Sequence, residues 1–298
     1  MIKDKIVIGT WPLSGDYGRV DLKTVQKVLE YCYEHNLREF DTAPSYGNGF
    51  IEFCLGKVLG TKTDTLINTK VGNMPFNGKS FKIVDLQASL EQSLKRLSVE
   101  SLNILFLHNP RNDIDDYDAV LNYMNKLKEE GIIKQKGISL AKNFKYDQQF
   151  LDEFDVIQDD GNLLDMRFLN LELSKNTKFM ARSPLASGIL SGKITRNSCF
   201  QIEDHRSGWL KGQRLESIMK RVDKINEASD FELIDIAKQF ILSNEKVEKV
   251  IFGVRTLEHI DSILNEKTKL IIDKGIEKKL IDLHNNDYGL VGESHLGI

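Results

Sequence analysis

The sequence predicts an α/β protein, a closed (β/α)8 TIM barrel of eight parallel strands wrapped by helices. Three observations lead there. Short apolar, β-branched runs recur eight times, each followed by a stretch of helical periodicity. The runs are nearly continuous in hydrophobic residues, as strands covered on both faces must be. The turn after the first run, Gly9-Thr10-Trp11-Pro12-Leu13-Ser14-Gly15, lacks the G-x-G-x-x-G of an open dinucleotide-binding sheet. Eight units in 298 residues favour the closed alternative.

In chain order the strands are expected at 5–9, 39–43, 65–71, 102–108, 136–140, 156–159, 178–184 and 249–254. Helices are expected at 22–36, 50–60, 83–97, 117–130, 144–153, 164–174, 217–226, 231–244, 257–265 and 276–285. The first shows the pattern: Leu22, Val25, Leu29 and Cys32 share one face, while Lys23, Lys27 and Glu30 point away from it. No low-complexity linker, basic tail or compositional break interrupts the series, so one domain over 1–298 is expected.

Composition narrows the function classes. With 41 Lys+Arg against 44 Asp+Glu the formal net charge is −3, which gives no basic footprint for nucleic acid. Hydrophobic residues are 41% of the chain, but no apolar run approaches the ~20 residues of a membrane span. The opening Met-Ile-Lys-Asp-Lys is too charged for a secretory signal. Cys32, Cys54 and Cys199 are odd in number and widely spaced, which suits a reducing cytosol and offers neither a disulfide framework nor a zinc site. His35, His205, His259, His284 and His295 show no H-E-x-x-H spacing, and no G-x-S-x-G is present. A cytoplasmic protein with no metal, membrane or nucleic-acid partner is expected.

In such a barrel the chemistry collects where strands end and the following loops begin. Those positions hold Asp41, Lys70 and His108, with Tyr46 in the loop after the second strand. Each alone has a plain structural role as cap, solvated strand end or packed ring; together at one face they suggest a proton-transfer site. A phenol, which ordinarily ionises near pH 10, is a poor acid at neutral pH unless its anion is stabilised. A nearby ammonium supplies that stabilisation, and a carboxylate keeps the ammonium charged and oriented. An imidazole can place a carbonyl that becomes an alkoxide on gaining a hydride.

Phe40-Asp41-Thr42-Ala43-Pro44-Ser45-Tyr46-Gly47, then Leu55-Gly56, Thr69-Lys70-Val71-Gly72 and Leu107-His108-Asn109-Pro110 resemble the aldo-keto reductase superfamily. The likeness continues through Gly137-Ile138-Ser139, Ile157-Gln158, Ser183-Pro184-Leu185-Ala186-Ser187-Gly188 and Val250-Ile251-Phe252-Gly253. It implies a (β/α)8 barrel that binds NADP(H), with NAD(H) as the other coenzyme, and reduces a small carbonyl compound. By position, Asp41, Tyr46, Lys70 and His108 would be the catalytic set. Gly9, Thr10 and Trp11 would line the nicotinamide ribose and substrate pocket, beside Asp41. Ser139 and Gln158 would hold the carboxamide. Ser183, Leu185 and Ser187 would meet the pyrophosphate, with Lys193 and Arg206 adding charge. Gly253, Arg255 and His259 would serve the adenosine end, with Arg255 beside the phosphate that distinguishes the two coenzymes. Gly188-Ile189-Leu190-Ser191-Gly192-Lys193 is one residue short of a Walker motif, which is rejected.

The chain also departs from the family pattern. Leu140 stands where Asn commonly follows the carboxamide serine, and Arg182 where an aromatic residue often stacks under the nicotinamide. Gly161-Asn162 replaces the usual Tyr-Asn, and His259 and Ile263 replace the usual Gln or Arg and Asn. A planar guanidinium can stack on a ring, but Arg182 would also bring a fixed charge to it. The expected activity is reduction of an aldehyde or ketone, sugar-like or otherwise, or the reverse reaction, with Tyr46 as the acid. The alternative is an NADPH-binding regulatory subunit with little turnover, like the channel-associated members of this family. Substrate contacts would come from loops 14–19, 73–80 and 109–116 and the tail 289–298, with Asp16, Tyr17 and Arg111 as polar candidates.

Overall fold

The computed structural model describes residues 2–142, 144–265 and 272–290. The barrel strands are β1 (Ile6–Gly9), β2 (Glu39–Asp41), β3 (Leu66–Val71), β6 (Leu102–His108), β7 (Ile133–Ser139), β8 (Val156–Asp160), β9 (Lys178–Arg182) and β10 (Val247–Gly253). Each pairs in parallel with its neighbours, and β1 closes the circle on β10 through Ile6 opposite Val250 and Gly9 opposite Gly253. A small hairpin, β4 (Asn73–Met74) with β5 (Gly78–Lys79), rises from the end of β3.

The helices are α1 (Leu22–Glu34), α2 (Phe50–Leu59), α3 (Ile83–Leu97), α4 (Tyr117–Glu129), α5 (Gln148–Asp152), α6 (Gly212–Glu227), α7 (Leu233–Ser243), α8 (Leu257–Leu264) and α9 (Lys274–Asn285). Several start on a side-chain cap. The Asp21 carboxylate accepts from Thr24 N at 2.8 Å and that of Asp116 from Ala119 N at 2.8 Å, each worth ~1 kcal/mol.

Two of the expected helices shrink. The helix expected at 164–174 is only a 3-10 turn at Arg167–Asn170. Its backbone groups are already engaged: Asn162 Oδ1 accepts from Leu164 N, His284 Nε2 accepts from Met166 N, and Tyr288 Oη donates to Leu163 O. Polar side chains that satisfy the backbone in this way compete with helix formation. The helix expected at 144–153 is confined to α5. Tyr146 Oη accepts from Ala141 N and donates to Pro110 O, holding the preceding chain as a loop.

The strand period of two sorts residues into layers. Val7, Ile104, Phe106, Val156, Met180 and Ile251 form an apolar cluster of their own, separate from the larger core between strands and helices. This is the plug that makes such a barrel a packed core rather than a pore. Gly137 belongs to it by omission: a Cβ there would meet the Phe106 ring at 2.3 Å.

In β3 the two faces have different duties. Thr69 donates outward to Glu52 of α2 at 2.7 Å, and Glu52 also accepts from Ser93 and Arg96 of α3. Lys70, the next residue, reaches Asp41 on the neighbouring strand. Helix α2 comes so near α3 that a Cβ on Gly56 would lie 2.1 Å from Arg96 O.

Candidate active site

Two residues beyond the apolar plug, the inward positions turn polar: Gln158 follows Val156, Arg182 follows Met180 and His108 follows Phe106. Asp41 and Ser139 end β2 and β7, and Lys70 is the penultimate residue of β3. The strand order therefore converges six polar side chains on the C-terminal mouth. Asp41, Lys70, His108, Ser139 and Gln158 are all buried.

Lys70 is the centre of this layer. Its Nζ donates to Asp41 Oδ1 at 2.6 Å and to Thr42 O at 2.7 Å, and lies 5.0 Å from the Tyr46 ring centroid. Burial alone would lower the Lys70 pKa, but Asp41 and Tyr46 outweigh it and hold the ammonium above its ordinary value. Burial raises the Tyr46 phenol above its ordinary value, with Lys70 pulling the other way. Tyr46 is therefore a neutral phenol at neutral pH, with a cation beside it that would favour its phenolate. The His108 ring stands edge-on to Tyr46 at 6.2 Å between centroids. Burial, reinforced by the charges of Lys70, Arg182 and Lys79, holds His108 well below its ordinary pKa. It is a neutral imidazole, able to offer one N–H, and its Nδ1 has no hydrogen-bond partner among the described residues.

A chain of hydrogen bonds leads away from this centre. Gln158 Nε2 donates to Asp41 Oδ2 at 2.9 Å, Ser139 Oγ donates to Gln158 Oε1 at 2.8 Å, and Arg182 Nη1 donates to Ser139 Oγ at 2.7 Å. The rest of the guanidinium is fully tied: Nε to Asp160 at 3.0 Å, Nη2 to Leu140 O at 2.9 Å and to Asp159 at 3.5 Å. Burial would raise the Asp160 carboxyl, but Arg182 and Lys142 bring it down to about 2. Burial pushes Asp159 up to about 6.

A cavity of about 670 Å³ opens above the layer, a size typical of cofactor and ligand sites. Gly9, Thr10, Trp11, Asp41, Tyr46, Gln158, Arg182, Ser183, Leu185, Ser187, Lys193, Arg206, Gly253, Arg255 and His259 all line it. Ser139 is linked to it through Gln158 and Arg182, and Lys70 and His108 are linked to it through their contacts with Tyr46. Two features fit an elongated nucleotide. Backbone after β9 turns left-handed at Ser183, Ala186 and Ser187 as well as Gly188, strain that residues with a Cβ adopt only where the surroundings impose it. Such successive turns form anion-binding nests of N–H groups. Beyond them, Lys193, Arg255 and His259 bring basic side chains to the end of the cavity where α8 begins, a helix N-terminus that favours an anion. The donor set thus suits a carboxamide near Gln158, a pyrophosphate near Ser187 and a further phosphate near Arg255.

Arg255 donates to the carbonyls of Tyr17 and Arg19, tying the loop after β1 to the loop after β10. That first loop also crosses to the loop after β9. His205 N donates to Asp16 O at 2.7 Å, and Trp11, Tyr17 and His205 cluster with ring centroids 4.5–5.3 Å apart. Arg206 is held by Asp204 through a double contact and lies 5.0 Å from the Tyr17 ring centroid.

Sequence reasoning missed Asp159, Asp160, Lys142, Asp204 and the role of His205. The acidic pair next to Gln158 at a strand's C-terminal end was the available signal for the first two. Of the expected substrate-loop residues, Asp16 accepts from Trp11 Nε1 and Ser14, and Arg111 donates to Lys142 O at 3.4 Å. The tail beyond 290 lies outside the described residues. No helix among the described residues is long and apolar enough to cross a membrane.

The Aldo/keto reductase family model matches residues 5–274. A probable voltage-gated potassium channel subunit beta of Arabidopsis thaliana is 24% identical, over 89% of this chain and 90% of that protein. The aldo-keto reductase YhdN of Bacillus subtilis is 25% identical, over 87% and 83%. Among solved structures, a glycerol dehydrogenase from Gluconobacter oxydans superposes with a TM-score of 0.77 at 20% identity, over 95% and 91%. An aldo/keto reductase from Klebsiella pneumoniae in complex with NADP and acetate gives 0.69 at 19% identity, over 94% and 91%. With a closed parallel barrel, a family match over nearly its whole length and relatives of this kind, the chain belongs to the aldo-keto reductase family.

Proposed function

We propose that this protein is an NAD(P)H-dependent oxidoreductase that reduces a small aldehyde or ketone to an alcohol, with NADPH the preferred coenzyme. The observation that carries this reading is Lys70, buried and charged between Asp41 and the Thr42 carbonyl, directly beside the Tyr46 phenol. A bound nicotinamide would supply the hydride. The chain's own groups do the rest. His108 offers a neutral N–H that places the carbonyl oxygen, and Tyr46 delivers its proton to that oxygen. Lys70 stabilises the phenolate as it forms, and Asp41 keeps Lys70 charged and oriented. Ser139 and Gln158 hold the carboxamide, and the left-handed turns at Ser183–Ser187 hold the pyrophosphate.

Purified protein mixed with NADPH and a panel of aldehydes and ketones, including sugar-like ones, tests this by coenzyme oxidation. Turnover that disappears in Tyr46→Phe supports the assignment. The relatives described as probable channel beta subunits favour a second reading, in which nucleotide binding serves partner binding and turnover is small. NADPH binding with no turnover across the whole panel would move the assignment there.

A further inference from the structure

Arg182 stands in the cavity lining where the family resemblance suggests an aromatic residue, and its surroundings give it an electrostatic sense. Its guanidinium lines the cavity beside Tyr46 and Gln158, whereas the carboxylates that hold it, Asp159 and Asp160, do not line the cavity. The acids grip Nε and Nη2, and Nη1 points to Ser139. An incoming group therefore meets Arg182 before it meets Asp159 or Asp160, and the carboxylate that does share this lining, Asp41, is paired with Lys70 at 2.6 Å. The effect is felt at the neighbours: Arg182 is among the charges that lower His108, and behind Lys70 and Asp41 it opposes the rise of Tyr46, while neither Asp159 nor Asp160 figures at either. Nη1 is also one hydrogen bond from the Ser139–Gln158 pair to which the carboxamide is assigned.

A nicotinamide ring is a cation when oxidised and neutral when reduced. An aromatic neighbour would attract the oxidised ring through its π-face; a guanidinium reverses that sign. We infer that Arg182 makes this site discriminate by coenzyme redox state, repelling the oxidised ring and leaving the reduced one unopposed, so that the reduced coenzyme binds more tightly than the oxidised one. The inference rests on the nicotinamide reading of the cavity. It gives the protein a built-in bias toward reduction: oxidised product leaves readily and competes weakly with fresh reduced coenzyme.

The test is binding rather than turnover. NADPH and NADP+ are titrated separately into the protein at low salt, read by quenching of tryptophan fluorescence, since Trp11 lines the cavity. The parent should favour NADPH by ~10- to 100-fold, the scale of one charge–charge contact partly screened by solvent. Arg182→Gln should bring the two affinities near parity, mainly by tightening NADP+. The double variant Arg182→Gln with Asp160→Asn removes the cation together with its closer carboxylate partner, and should behave the same way. Equal affinities in the parent, or an unchanged preference in whichever variant folds, overturns the inference while leaving the nicotinamide reading standing. Binding of neither coenzyme by the parent removes that reading and this inference with it.

Discussion

The two ends of the barrel are both polar, and they treat their polar groups in opposite ways. At the N-terminal end Glu39 accepts from Asn68 at 2.9 Å, Asn103 donates to Asn68 Oδ1 at 2.9 Å, and Lys249 meets Glu39 at 2.9 Å and the Asp4 carbonyl at 2.6 Å. The groups there close on one another. At the C-terminal mouth, His108 Nδ1 and Thr42 Oγ1 are buried without a hydrogen-bond partner among the described residues, and Tyr46 faces a large cavity. A buried polar group without a partner costs roughly 1–3 kcal/mol, which the fold accepts at one end and not at the other. The difference separates an end built for stability from an end built to receive something.

That contrast can be broken by substitution, and the largest effect belongs at the mouth. Tyr46→Phe keeps the volume and removes the acid, so carbonyl reduction should fall ~10²–10⁴-fold, with coenzyme affinity nearly intact. Steady-state rates and a binding titration check both halves; parent-like turnover in the purified variant would remove Tyr46 from its role.

Lys70→Met should come next, with a rate loss of similar kind and a displaced pH profile. The sign follows from the site. Burial holds the Tyr46 pKa up and Lys70 opposes the rise, so losing Lys70 moves Tyr46 further up. Reduction needs the protonated phenol, so the alkaline fall-off in rate should shift to higher pH while the rate at neutral pH drops. A Met variant with the parent's rate and profile would leave Lys70 with a packing role only.

At the far end of the cavity the expected effect is on affinity. A hydrogen bond to a charged group contributes roughly 1.5–3 kcal/mol, so Arg255→Ala should weaken NADPH binding ~10- to 100-fold and scarcely alter NADH. Because Arg255 also ties down the loop carrying Tyr17 and Arg19, equal losses for both coenzymes would mean that the loop contact, not the phosphate, is what Arg255 provides. The smallest effect on function belongs to the closed end. Glu39→Ala should cost about 1–3 kcal/mol of stability, visible as a lower denaturant midpoint, with kcat unchanged. A variant that kept its stability but lost activity would reverse the comparison.

Much of this was legible in the sequence, for a physical reason. Asp41, Lys70 and His108 lie at or next to the ends of strands whose β-branched runs mark them clearly, so their position at one mouth follows from the fold class alone. The strand boundaries differ by only a few residues, as at β7, expected from 136 and found from Ile133. What was hidden depends on register and on distant partners. That Asp160 faces Arg182 follows from their being paired across β8 and β9, which no local pattern announces. The shortened helix at 164–174 depends on His284 and Tyr288, more than a hundred residues away.

The two duties of β3 make insertion more damaging than any substitution there. Thr69 and Lys70 are neighbours on opposite faces, one anchoring the helix layer and the other charging the mouth. A single residue inserted or deleted upstream within the strand would exchange their faces. The ammonium would be aimed at Glu52 and the Arg96 guanidinium, and the threonine hydroxyl at Asp41. Length in this strand is thus a coding property as strict as identity.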